Sequence, residues 1–81
     1  MQIINLKQTC SACPSQWEGE LDNGNHIYIR YRYGKLFVGV GEDIDEAILN
    51  SNPIKTLGDE YDGVLTEEDM MQVLEEEFNI Y

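Results

Sequence analysis

Several residue types are scarce in this 81-residue chain, and each scarcity excludes something. Two cysteines are too few for the disulfide framework of a secreted mini-protein. No apolar run approaches the ~18 residues of a membrane-spanning helix. Residues 1–7 (MQIINLK) lack both the basic start and the long apolar core of a secretory signal, so a cytoplasmic location is expected. One histidine leaves little for acid–base chemistry, and neither a serine–histidine–acid pattern nor a phosphate-cradling glycine loop is present. An enzyme is therefore not expected, nor is a bound cofactor. Repeats and low-complexity tracts are also missing. The length fits one small domain, residues 1–81, with a single modest core.

The scarcest charge is the positive one. Five lysines and arginines face sixteen acids, for a net charge of −11. Residues 1–41 are nearly balanced, with four cations and three acids. Residues 42–81 carry thirteen acids and one cation, Lys55. A field of that sign repels nucleic acid and steers toward basic partners. The expectation is that this second half forms one acidic lobe.

What is plentiful is alternation. Trp17 and Leu21, then Ile27, Ile29, Tyr31 and Tyr33, then Leu36, Val38 and Val40 recur at period two. This is the signal of three half-buried strands. A turn centred on Gly34 and Lys35 sets Tyr31 opposite Val38 and Ile29 opposite Val40. A three-residue loop, Asn23, Gly24 and Asn25, sets Leu21 opposite Ile27 and Glu18 opposite Arg30. Those nine apolar residues form the inner face. Glu18, Glu20, Tyr28, Arg30, Arg32 and Phe37 form the outer one, with Gly39 and Gly41 beneath Tyr28.

Asp43 caps a short helix running to Leu49 with Ile44, Ala47 and Ile48 inward. Residues 54–57 and 1–7 are candidate strands. Thr66 and Asp69 resemble a capping box. Met70, Val73, Leu74 and Phe78 make a helical stripe beyond it. The fold class is α+β: an antiparallel meander of three to five strands, with a short helix and a C-terminal amphipathic helix packed on one face.

Few motifs carry chemistry. Cys10 and Cys13, in "TCSACPSQWEG", admit three readings: a metal clip, a thiol redox pair, or small side chains in a loop. Zinc wants about four ligands, and His26 is not brought near by spacing. Redox chemistry wants a helix start to lower the thiol pKa, and strand and turn follow instead. The loop reading is preferred. "GDEYDGVLTEED", residues 58–69, echoes a calcium loop but puts Gly58 at the first ligand position and Asp69 at the last. It reads better as a turn at Asp62 and Gly63 followed by the Thr66 cap. "HIYIRYRYG" interleaves aromatic and basic residues as nucleic-acid-binding sheets do, but alternation sends Tyr31 and Tyr33 to the core.

"CSACPSQWEG", "HIYIRYRYG", "VGVGEDIDEAI" and "YDGVLTEEDM" together resemble a group of small uncharacterised proteins from bacteriophages and bacteria, over roughly residues 10–71. The resemblance carries no activity and no functional residue. It implies a setting, a short protein encoded by a phage or prophage.

The function expected is a non-catalytic acidic binding protein, a phage-type inhibitor that engages the basic surface of a host protein by charge mimicry. The expected partner is a protein with a basic surface, such as a nucleic-acid-handling host factor, with no direct nucleic acid and no membrane. The carboxylates assigned to it are Glu42, Asp43, Asp45, Glu46, Asp59, Glu60, Asp62, Glu67, Glu68, Asp69, Glu75, Glu76 and Glu77. Tyr28, Arg30, Arg32 and Phe37 form a second candidate surface, since aromatic and arginine side chains anchor interfaces. The alternatives are a Cys10–Cys13 metal or redox module and a structural phage protein.

Overall fold

The structure, a computed structural model, describes residues 1–11, 14–59 and 63–80. Its strands are β1 (Ile3–Ser11), β2 (Ser15–Leu21), β3 (His26–Arg32), β4 (Lys35–Gly41) and β5 (Asn52–Thr56), and its helices are α1 (Ile44–Leu49) and α2 (Glu67–Phe78). The strands form one antiparallel sheet in the order β1-β2-β3-β4-β5. The fold is therefore α+β, as the alternation predicts.

The inner face is assembled from Trp17, Leu21, Ile27, Ile29, Tyr31, Leu36 and Val38, which cluster with Met70, Val73 and Leu74 of α2. Burying each such side chain contributes about 1.5–3 kcal/mol, so this contact is the main source of stability. Val40 packs at its margin.

Both hairpins differ in register from the sequence reading. In the β3–β4 turn the two central residues are Tyr33 (φ 57°) and Gly34 (φ 71°). Tyr31 accordingly faces Leu36, and Ile29 faces Val38. Two positive φ angles give the primed turn that matches strand twist. Tyr33 lies at the tip and is 54% exposed, so it is not a core residue. In the β2–β3 loop the three residues are Asp22, Asn23 and Gly24. The Gly24 N–H donates to the Leu21 carbonyl at 3.0 Å, and the Leu21 N–H donates to Asn25 at 2.7 Å. Gly24 has φ 92°, the left-handed residue that follows a type I turn. Glu18 thus faces Tyr28, and Arg30 faces Gln16. Both shifts are by two residues, which preserves the side-chain faces.

β1 is longer than residues 1–7 suggest and contains two register shifts. One lies at Asn5, whose φ is 53°. The inserted residue brings Ile3 and Leu6, three apart, onto the same core-facing side.

The helices take opposite faces. Strand alternation puts Gly39 and Gly41 on the side away from Val38 and Val40. A Cβ at Gly39 would collide with the Ala47 carbonyl oxygen, and one at Gly41 would lie 2.7 Å from the Ala47 nitrogen. So α1 rests directly on these glycines, where Tyr28 had been expected. Ala47 is fully buried, whereas Ile48 is exposed, because the six-residue helix touches the sheet along one narrow line. α2 covers the inner face. Its C-cap, Asn79, is left-handed (φ 54°), and the Ile80 N–H returns to the Leu74 carbonyl at 3.3 Å. This closure turns Ile80 into the core and leaves Phe78 46% exposed, reversing the expected role of Phe78.

Candidate interaction surface

α2 starts where the Thr66 hydroxyl accepts the Asp69 N–H at 3.2 Å. With Met70, Val73 and Leu74 committed to the core and Met71 packed at its margin, helical geometry sends the acidic side chains outward. Glu67, Glu68, Asp69, Glu75, Glu76 and Glu77 are all exposed. Acids in the first turn favour the positive helix end, but those in the last turn oppose the negative one. Lys55 on β5 offsets this in part, with its Nζ 3.9 Å from Glu76 and 3.8 Å from Glu77. No other described cation forms an ion pair with an α2 carboxylate.

Glu42, Asp43, Asp45 and Glu46 are also exposed, but they belong to the start of α1 on the opposite face. One Asp43 oxygen accepts the Glu46 N–H at 2.8 Å as the helix cap. The single acidic lobe is thereby corrected. The helices divide the acids into two groups with the sheet between them, and a flat partner meets only one. Asp59 is exposed beyond β5. Glu60 and Asp62 lie outside the described residues.

Beside α2 runs a groove of about 450 Å³. Asp69, Gln72, Val73 and Glu76 form its helical wall, and Lys55 and Leu57 line the opposite side. Tyr31, Val64 and Leu65 complete it. Leu57 and Val64 are 39% and 56% exposed. The segment carrying Val64 is pinned by Ser15. The buried Ser15 hydroxyl accepts the Leu65 N–H at 3.1 Å and lies within donor reach of the Gly63 carbonyl at 3.2 Å.

The second candidate surface is altered by α1. Tyr28 is 7% exposed, lies opposite Gly39, and donates its hydroxyl to Gln16 at 3.2 Å. It is thus a packing residue and not a contact anchor. Arg30 and Phe37 are cross-strand neighbours, and Arg32 pairs with Lys35. Arg30, Arg32 and Phe37 are half-buried, and Lys35 is exposed. The Arg32 guanidinium sits 4.7 Å over the Tyr33 ring.

Cys10 lies on β1 opposite Gln16 and so belongs to a strand, not to a loop, while Cys13 lies outside the described residues. His26 pairs with Glu20 at the other end of β2, so Cys10 and His26 are too far apart to share an ion. Among the described residues, no three histidine, cysteine or acidic side chains are grouped to hold a metal. No described helix is long and apolar enough to cross a membrane.

The sequence reading missed the groove. Its walls join β3, β5, residues 64–65 and α2, and no local pattern announces that meeting. No family model, curated protein or solved structure matches the chain.

Proposed function

We propose that the chain is a non-catalytic binding protein whose α2 carboxylates engage a basic protein surface. The observation that supports this most is the imbalance on that helix. Six exposed acids occupy twelve residues, and Lys55 is the only described cation paired with any of them. Such a surface repels itself, and a cationic partner relieves that repulsion while speeding encounter. Carboxylates spaced along a helix stand in for phosphates, so the partner class is a protein that ordinarily grips nucleic acid. A host factor bound by a phage-type inhibitor fits that chemistry and the resemblance noted above. Nucleic acid itself is not a ligand, because its own charge has the same sign.

Capture from bacterial lysate on immobilised protein tests the reading. The expected catch is basic, nucleic-acid-binding proteins that elute between about 50 and 500 mM salt, where screening shortens to a few Å. A variant with Glu67, Glu68, Glu75 and Glu77 changed to Gln should lose them. An empty catch, or one indifferent to both salt and the variant, contradicts the proposal.

A further inference from the structure

Acidity alone does not explain the groove beside α2. A surface built only for charge has no need of apolar walls, yet Leu57 and Val64 are exposed large hydrophobics that line it together. Val73 and Leu65 continue that apolar lining inward. Asp69 and Glu76 stand along the helical wall seven residues apart, a separation of about 10 Å at 1.5 Å per residue. Lys55 opposite is half-exposed and held to Glu76 at 3.9 Å, a contact weak enough for a ligand cation to replace.

We propose that this groove is the docking site for a short basic-apolar peptide segment of the partner protein, with apolar side chains against Leu57 and Val64 and flanking cations on Asp69 and Glu76. This rests on the reading of the chain as an acidic binding protein, and it names the site. Charge complementarity selects the occupant, since a neutral apolar ligand would leave the carboxylates unused. Two arginines separated by two residues in a polyproline II segment lie on one face about 9 Å apart, at three residues per turn and roughly 3.1 Å per residue. The groove's volume of about 450 Å³ suits a few side chains.

The test is fluorescence anisotropy with two labelled hexapeptides, Gly-Arg-Leu-Leu-Arg-Gly and Gly-Arg-Ser-Ser-Arg-Gly. The leucine peptide should bind at least ~10-fold tighter, as expected for burial of two apolar side chains. Val64→Ser, at a position exposed enough to keep the fold, should remove most of that preference, and Leu57→Ser with Val64→Ser the rest. Asp69→Asn with Glu76→Gln should weaken the leucine peptide more than Glu68→Gln with Glu75→Gln. The second pair has the same spacing and removes the same charge, but it lies off the groove. Equal affinity for the two peptides, equal loss from the two charge pairs, or no binding of either peptide overturns the docking site. None of those results touches the lysate capture, which judges the broader reading separately.

Discussion

The Ser15 hydroxyl lies 3.0 Å from the Ser11 carbonyl and 3.2 Å from that of Gly63, and it accepts the Leu65 N–H at 3.1 Å. One small side chain thus ties the start of β2 to a segment 48 residues away. Ser15→Ala takes the acceptor from the part-buried Leu65 N–H, while the Gly63 carbonyl keeps the Ser15 backbone N–H at 2.9 Å, so a cost of about 1 kcal/mol is expected, read from chemical denaturation. Gly39 acts through space alone. Gly39→Ala drives a methyl group into the Ala47 carbonyl, so a loss of about 2–3 kcal/mol is expected. Loss below ~0.5 kcal/mol would show that α1 is not seated on β4. These two residues were unequally legible. The paired glycines suggested a close approach on the outer face, but alternation assigned it to Tyr28, whereas the backbone of α1 occupies it. Ser15 gave no signal, because its partners come from a distant loop.

Alternation fixed which residues of β2, β3 and β4 face inward, because apolar burial punishes any odd shift. It could not locate the turns, since an even shift preserves both faces. Backbone conformation decided those, and it favoured Tyr33 with Gly34 over Gly34 with Lys35. The caps were plain from composition: both Asp43 and Thr66 accept the predicted N–H. Thr66→Ala should therefore cost about 1 kcal/mol and lower the helical signal of α2. Phe78 deceived because a stripe at helical spacing does not reveal where the helix closes. The left-handed Asn79 hands that core position to Ile80.

At the scale of the molecule, the acids at the start of α1 and those of α2 are separated into two groups by the faces that the helices cover. Composition reported their number but not their separation, which follows from α1 and α2 covering opposite faces. At a net charge of −11, repulsion opposes compaction, and salt should relieve it. Raising NaCl from about 10 to 500 mM, across which the screening length falls from ~30 to a few Å, should raise the Tm by several degrees. A flat or falling Tm would mean the acids are already compensated within the fold.

The most direct measurement is the affinity for a captured partner as a function of salt, for the wild-type chain and the variant neutralised at Glu67, Glu68, Glu75 and Glu77. Binding through α2 predicts that wild-type affinity falls steeply as salt rises and that the variant binds weakly with a shallower slope. Affinity that ignores salt, or a variant that matches the wild type at every concentration, would contradict it.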